Sequence, residues 1–450
     1  MNRNIFYSLF YLKNLIVNPI ILKNVKETWQ NQYISEEKIT EIQTQKLKKI
    51  LLYAYNYCPY YRKVFFESGF HPEQFKEIKD IERIPLLTKK DIKENLNSIV
   101  AINIDDIRKE EVFTSGTTGM PLKIFRDKNT ASRMTALYLR TIKNFGCNIG
   151  AKTAWIWGLR KEDEYLDFRN KNFKLQFLKN TTWFNAFDMN DESMYSFAEF
   201  SFHFKPELII GYVSSLYEYA KFIQRNNIKI FSPKAIWITA EPADNNQREL
   251  IESMFNCQVY SQYGSSEILH IAYECRFNKN LHIHADSRFV EITDESGKSL
   301  SAGEIGNVVI TDLENYVMPI IRYKNDDMSS FAKFKCNCGI NFPTIGPVIG
   351  RTYNIFKLKN GKQIYGHMFS KKLFNYVKEI KQFKVHQKTY DKIDVLIVPG
   401  EIIDRNKLIN ELLSYFKYYT GDEVEYTFKF VDEISREKSG KFLYTKSDII

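Results

Sequence analysis

Apolar residues recur at helical spacing through the first hundred positions, where Leu47, Ile50, Leu51, Ala54 and Cys58 form one stripe that Pro59 should close. From about Val112 the period changes. Short runs rich in branched and aromatic residues, Ala154 to Trp157, Leu208 to Ile210 and Ala235 to Ile238, alternate with longer charged stretches such as Ser214 to Gln224 and Asn245 to Met254. This alternation predicts stacked α/β layers. Between about Leu281 and Ser330, Gly297, Gly303 and Gly306 punctuate the runs Phe289 to Ile292 and Val308 to Thr311, which predicts a β-rich subdomain. After Gly350-Arg351 come two strand-like pieces around Gly361, a helix-like piece near Met368 to Val377 and a strand, Val395 to Val398. An amphipathic helix bearing Leu408, Ile409, Leu412, Leu413 and Phe416 completes a small α+β domain.

Composition narrows this picture. A chain of 450 residues holds one large domain plus a smaller one. The expected division is 1–351 and 352–450, with 1–100 mainly helical and a short joint near Arg351, because no Gly/Ser linker or internal repeat is present. The 64 Lys+Arg against 54 Asp+Glu give a net charge of +10, but the basic residues are dispersed and 15% aromatics suit a packed enzyme. Nucleic acid is therefore not an expected partner. The nearest approach to a membrane span, Ile5 to Leu22, is broken by Lys13, Asn14, Asn18 and Pro19 and lacks a signal-peptide cleavage site. That N-terminal helix is expected to pack on the main body, with peripheral membrane contact as the alternative. Six cysteines, two of them in Cys336-Asn337-Cys338, do not read as a secreted disulfide framework, so a cytoplasmic location is expected.

Two constellations carry chemistry. Phe113-Thr114-Ser115-Gly116-Thr117-Thr118-Gly119-Met120-Pro121-Leu122-Lys123 packs hydroxyls and two glycines into one turn, so side-chain donors and backbone N–H groups can approach a polyphosphate. It is not a Walker loop, since Gly116 and Gly119 are too close and no Lys-Ser/Thr follows. Taken alone, it would be an ordinary surface turn. The second set is Cys275, His282, Cys336 and Cys338, which zinc would bind tetrahedrally through three thiolates and an imidazole. Buried cysteines and a surface histidine are the alternative. His284 is a reserve ligand, and Cys58, Cys147 and Cys257 read as core residues.

The first loop resembles the phosphate loop of the acyl-adenylate-forming ligases, and further segments resemble that superfamily's motifs in its order. Thr239-Ala240-Glu241-Pro242 resembles the adenine-contacting turn, and Tyr263-Gly264-Ser265-Ser266-Glu267 the Tyr-Gly-x-Ser/Thr-Glu segment. Thr311-Asp312-Leu313, through Met318-Pro319-Ile320-Ile321-Arg322-Tyr323 to Asp327, resembles the segment ending in the ribose-binding aspartate. Gly350-Arg351 is similar to the hinge signature, and Ser439-Gly440-Lys441 to the C-terminal catalytic lysine. Cys58-Pro59-Tyr60-Tyr61-Arg62, Ile84-Pro85-Leu86-Leu87-Thr88-Lys89, Gly211-Tyr212 and Glu274-Cys275 resemble recurring segments of the phenylacetate-CoA ligase-like branch, which includes the CapK-type proteins of capsular polysaccharide clusters. That branch has a similar Cys…His…Cys-x-Cys arrangement, which strengthens the zinc reading as a structural site.

The resemblance implies an adenylate-forming α/β domain with a β-rich subdomain, covered by a small mobile α+β lid. It implies that Thr114, Ser115, Gly116, Thr117, Thr118 and Gly119 cradle the β- and γ-phosphates of ATP and that Glu267 holds Mg²⁺. Asp327 would bind the ribose hydroxyls, Arg322 would neighbour phosphate or ribose, and Lys441 would place a mobile charge between carboxylate and α-phosphate. The acceptor implied is CoA, a carrier-protein thiol or an amine. Tyr212, with Trp155, Trp157, Trp183 and Phe187, falls where such enzymes build the acyl pocket, although aromatics at strand ends are more often core. Two departures stand out. Asp326 precedes Asp327 where relatives often have Gly, and Tyr353 stands two residues after Arg351 where the superfamily usually has an Asp or Lys pivot. A non-catalytic binding protein of a glycan assembly pathway is the competing expectation.

Overall fold

The computed structural model describes residues 10, 12–14, 18–104, 109–113, 122–159, 161–170, 179–351, 355–376, 379–400, 404–436 and 442–449. Thr114 to Gly119, Tyr353 and Lys441 therefore lie outside the described residues.

The helical N-terminal region is built as its stripe requires. Ser35 accepts a hydrogen bond from the Lys38 N–H and so caps the helix Glu36–Tyr57, whose Leu47, Ile50, Leu51 and Ala54 are fully buried. Pro59 does more than end it: the proline opens the next helix, Pro59–Glu67, where a missing N–H costs nothing. The helix Pro19–Asn31 buries Ile21 and Thr28 and lies along the helix Lys128–Asn144, to which Asn18 Nδ2 also donates at Ser132 Oγ. Among the described residues, no helix is long and apolar enough to cross a membrane.

An eight-stranded sheet forms the centre. Its order runs Thr344–Ile345, Asn278–Ile283, Ala272–Cys275, Val259–Tyr263, Ala235–Thr239, Leu208–Tyr212, Thr153–Trp157 and Thr181–Asn185. The last five run parallel to one another, with the helices Asp191–Phe204, Val213–Arg225 and Asn245–Phe255 among their connections. The first three continue antiparallel. Leu208–Tyr212 is buried throughout, as a strand covered on both faces must be. One face of the sheet, with Ala154, Ile156, Phe184, Ile209, Ile236 and Ile238, shares a core with the helix Val213–Arg225. The other faces the N-terminal helices and a four-stranded antiparallel sheet of Arg288–Thr293, Gly306–Asp312, Tyr323–Ser329 and Gly350–Arg351. This is the expected β-rich subdomain.

The C-terminal unit has a sheet ordered Glu425–Phe430, Lys392–Pro399, Ile380–Thr389, Thr445–Ser447, plus the hairpin Ile355–Lys357 with Gln363–Tyr365. The helix Arg405–Thr420 buries Leu408, Leu412 and Phe416 against it, each side chain contributing roughly 2 to 3 kcal/mol. The unit rests on the helix Val213–Arg225, where the rings of Tyr217 and Phe374 lie 5.8 Å apart. In the strand Ile380–Thr389 the buried positions Phe383, Val385 and Gln387 alternate, but the third is polar and a bulge puts Ile380 out of phase, so the apolar signal is too short to read from sequence.

Candidate active site and metal centre

Two of the candidate segments follow the carboxyl ends of parallel strands, the usual place for a site in an open α/β sheet. Strand Ala235–Thr239 delivers the turn Ala240-Glu241-Pro242, in which Ala240 has φ +70°, a left-handed conformation costly for a residue with a Cβ. Strand Val259–Tyr263 delivers Tyr263 and the tight turn after it. There Ser265 N–H donates to the Ile268 carbonyl and Ser265 Oγ accepts from Ile268 N–H, both at 3.0 Å. A Cβ on Gly264 would lie 3.0 Å from the His270 backbone nitrogen, so a larger residue would crowd the turn.

That turn presents Glu267, a buried carboxylate that accepts a long hydrogen bond, 3.5 Å, from Tyr323 Oη. Arg126 sets its backbone: Nη2 donates to the carbonyls of Ser266, at 2.6 Å, and Glu267, at 3.3 Å. Arg126 ends the hairpin Glu110–Phe113 with Lys123–Arg126, in which Phe113 pairs directly with Lys123. The segment read as a phosphate loop thus joins two paired strands, one of them tied to the Glu267 turn. Sequence reading missed Arg126. Its signal was there, since alternation in Lys123-Ile124-Phe125-Arg126 puts the arginine on the same face as the buried Ile124.

Asp327 sits beside Tyr263. Tyr263 Oη donates to Asp327 Oδ2 at 2.9 Å, and Asn325 Nδ2 donates to the same oxygen at 2.7 Å and to Tyr263 Oη at 2.8 Å. The departure at Asp326 has a structural meaning. The pairing with Gly306–Asp312 slips between Asn307 and Val309, and opposite that bulge Asp326 has φ +59°. Glycine suits such a position, and aspartate is among the few residues that tolerate it. Arg351 pairs with Asp327 in register, bringing the hinge signature beside the ribose candidate.

Arg322 is a correction. Its guanidinium, only 1% exposed, binds both Glu291 oxygens and the carbonyls of Glu82, Ile84 and Gly297. Those bonds use all of its N–H donors, leaving none for a phosphate or ribose. Arg322 instead fastens the β-rich subdomain to the N-terminal region.

Glu241 faces neighbouring backbone. Its Oε2 accepts from Ser214 N–H at 2.7 Å, and its Oε1 from Ser214 Oγ at 3.0 Å and from Phe442 N–H at 3.2 Å. Phe442 belongs to the C-terminal unit and follows Lys441 in the chain. From the same unit, Arg436 Nη1 donates to Ser215 Oγ at 3.3 Å.

Alternation along Thr153–Trp157 and Thr181–Asn185 leaves Trp155, Trp157 and Trp183 half-buried on one sheet face. Trp155 and Trp183 stack with centroids 4.8 Å apart, and Trp157 meets Tyr212 at 4.1 Å. Burial, with Glu241 nearby, pushes the Tyr212 phenol well above its usual range, so it stays protonated. Phe187 is 44% exposed and makes no ring contact with this group among the described residues.

The Cys275, His282, Cys336 and Cys338 ligand atoms all lie within 4.8 Å of one another. Cys275 and Cys336 sulfurs are 3.4 Å apart, and Cys338 Sγ is 3.3 Å from His282 Nε2. A tetrahedral zinc requires sulfur separations of about 3.8 Å, so small shifts accommodate one. His282 Nδ1 lies 3.3 Å from the Phe342 carbonyl, which fixes the tautomer that turns Nε2 to the thiols. Burial pushes the Cys275 thiol up to about 12, so a thiolate there needs a cation beside it. His284 is not a spare ligand: its ring nitrogens face Arg140 and Thr141.

Most of the chain resembles known proteins. A family model for the CapK C-terminal domain matches residues 357–448, and one for the acyl-protein synthetase LuxE matches residues 19–157. The chain is 24% identical to a phenylacetate-coenzyme A ligase of Thermus thermophilus over 344 residues, 74% of each chain. It is 24% identical to protein CapK of Staphylococcus aureus over 459 aligned residues, 97% of this chain and 99% of the other. Among solved structures, 2-hydroxyisobutyryl-CoA ligase in the postadenylation state with 2-HIB-AMP overlays with a TM-score of 0.78 at 18% identity, covering 93% of this chain and 92% of that one. The same ligase in its thioesterification state gives 0.64. The fold is that of the acyl-adenylate-forming enzymes. Over most of its length the chain is similar both to a phenylacetate-coenzyme A ligase and to protein CapK.

Proposed function

We propose that the chain is an acid-thiol ligase that activates a carboxylic acid as acyl-AMP at the expense of ATP and passes the acyl group to CoA. The observation that carries this reading is the hydrogen-bonded group of Tyr263, Asn325 and Asp327, with Glu267 on the turn after Tyr263, while Phe442 of the C-terminal unit bonds Glu241 on the turn after the neighbouring strand. A carboxylate oxygen attacks the α-phosphorus, the bond to the bridging oxygen breaks, and pyrophosphate leaves with the electron pair. Because two anions meet, the site must neutralise charge.

Each residue has a task in that reading. Thr114, Ser115, Gly116, Thr117, Thr118 and Gly119 would cradle the β- and γ-phosphates through hydroxyls and backbone N–H groups. Asp327, held by Tyr263 and Asn325, would accept hydrogen bonds from the ribose, and the Ala240 turn would pass the adenine. Glu267 fits a magnesium ligand, since among the described residues its side chain accepts one long hydrogen bond; Mg²⁺ bound there would screen the phosphates. Lys441 would bring its charge to the reacting carboxylate. Trp155, Trp157, Trp183 and Tyr212 would line the acyl side, and the thiol cluster would hold a closed, structural zinc.

A carrier-protein thiol or an amine is the alternative acceptor, and the resemblance to CapK-type proteins favours an acid used in surface polysaccharide assembly. The deciding experiment is pyrophosphate release with MgATP across aryl, hydroxy, amino and short-chain acids, with and without CoA. Release with one acid, accelerated by CoA and abolished in Lys441→Ala, is the expected result. No release with any acid, under conditions where ATP binds, would point instead to a protein that has kept the fold and lost the reaction.

A further inference from the structure

Glu241 holds two things at once. One oxygen accepts the Ser214 N–H in the first turn of the helix Val213–Arg225, where a carboxylate also meets the positive end of the helix dipole. The other accepts the Ser214 hydroxyl and the N–H of Phe442. The helix has no side-chain cap of its own at Tyr212, so Glu241 supplies it from another strand end. Phe442 lies on the other side of the joint at Arg351, in the unit that ends the chain.

Apart from the bond of Arg436 to Ser215 Oγ, other contacts of that unit with the same body have a different character. Lys221 Nζ donates to the Lys381 carbonyl, Asn246 Nδ2 to Asn375 Oδ1, and Tyr217 packs on Phe374. These are the flank of the interface, on helices beneath the sheet. Glu241 alone among these partners belongs to a turn at the strand ends, and it grips backbone immediately after Lys441.

We propose that Glu241 is a positioning residue: its carboxylate clips the Phe442 N–H and so holds the C-terminal unit in the orientation used for adenylation, releasing it when that unit turns for acyl transfer. The inference rests on the adenylating reading for its purpose but not for its geometry. A hydrogen bond to a charged acceptor at a backbone N–H positions the preceding residue, whatever side chain Phe442 carries.

The test is amide hydrogen exchange on the full-length, nucleotide-free chain, followed by mass spectrometry. In Glu241→Ala, exchange at Phe442 should speed up about ten-fold, as loss of a charge-assisted bond implies, while the strand Ile380–Thr389 of the same unit keeps its protection. Unchanged exchange at Phe442 would overturn the proposal and leave Glu241 a helix cap. Ser214→Ala removes one hydroxyl from the carboxylate but spares the Phe442 bond, so Phe442 should stay protected. Equal loss in that variant would also overturn the proposal. Should Glu241→Ala fail to fold, Glu241→Gln decides, because it keeps the shape with one acceptor oxygen where two are in use; wild-type exchange at Phe442 in it would count against the clip. With an acid that turns over, kcat for pyrophosphate release should fall in Glu241→Ala, and an unchanged kcat would refute the positioning role. A chain with no turnover on any acid would sink the adenylating reading and leave the exchange result standing.

Discussion

The bulge at Asn325, Asp326 and Asp327 shows how one backbone irregularity serves a carboxylate. The extra residue bends the strand, Asp326 absorbs the bend at φ +59°, and Asp327 is turned onto Tyr263. Asp326→Gly should therefore be neutral or raise the melting temperature slightly, since a left-handed residue with a Cβ costs on the order of 1 kcal/mol. Asp326→Val should lower it clearly, and a melt equal to the parent's would refute the strain argument. Asp327→Asn keeps the shape but removes the charge that Tyr263 and Asn325 orient. We expect ATP to bind about ten-fold more weakly by calorimetry, the cost of one charge-assisted hydrogen bond, without a change in melting temperature beyond a few degrees.

Among elements, the N-terminal helix Pro19–Asn31 is fastened by a buried ion pair rather than by apolar contact alone. Arg140 binds Asp286 through both Nη atoms, at 3.0 and 2.9 Å, and also donates to the Thr28 carbonyl; Asn31 Nδ2 donates to Asp286 Oδ2. Burial by itself would raise the Asp286 carboxyl, but Arg140 and Arg133, with Lys46, hold it well below the usual carboxylate range. Its folded value is depressed, so its stabilisation is complete above the unfolded value of 3.8 and is lost as the pH falls below it. Asp286→Asn leaves Arg140 unpaired in the core and should cost about 3 to 5 kcal/mol by urea unfolding at neutral pH. The difference from the parent should shrink at pH 3, and a constant difference across pH would exclude this linkage.

At the scale of the whole molecule, the thiol cluster and the lid interface decide how the parts stay registered. Cys275, His282 and the Cys336-Asn337-Cys338 loop join three adjacent strands at the end of the large sheet. Purified protein should carry stoichiometric zinc, and Cys336→Ser with Cys338→Ser should lose it and melt several degrees lower, because metal binding adds directly to folding stability. Absence of zinc by elemental assay would remove that site.

Sequence alone determined the layer pattern, because strands covered on both faces need apolar runs and crossover helices need periodic stripes; Leu208–Tyr212 and Val213–Arg225 were legible for that reason. It also marked the candidate segments, since the hydroxyl-glycine turn, the Tyr-Gly-Ser-Ser-Glu segment and the paired cysteines are local in the chain. Direction and pairing belong to the tertiary structure. Arg322 and Asp327 stand five residues apart, yet the first spends its donors on Glu291 and core carbonyls while the second faces Tyr263. Arg126 reads as an ordinary strand cation until its partners, the Ser266 and Glu267 carbonyls, arrive from 140 and 141 residues away. Glu241 and Phe442 are separated by 201 residues, and only packing of one unit on the other brings them to 3.2 Å. The physical reason is the same in each case: composition and period are set by burial along one element, but a hydrogen bond is set by the position of a second element that the first does not encode.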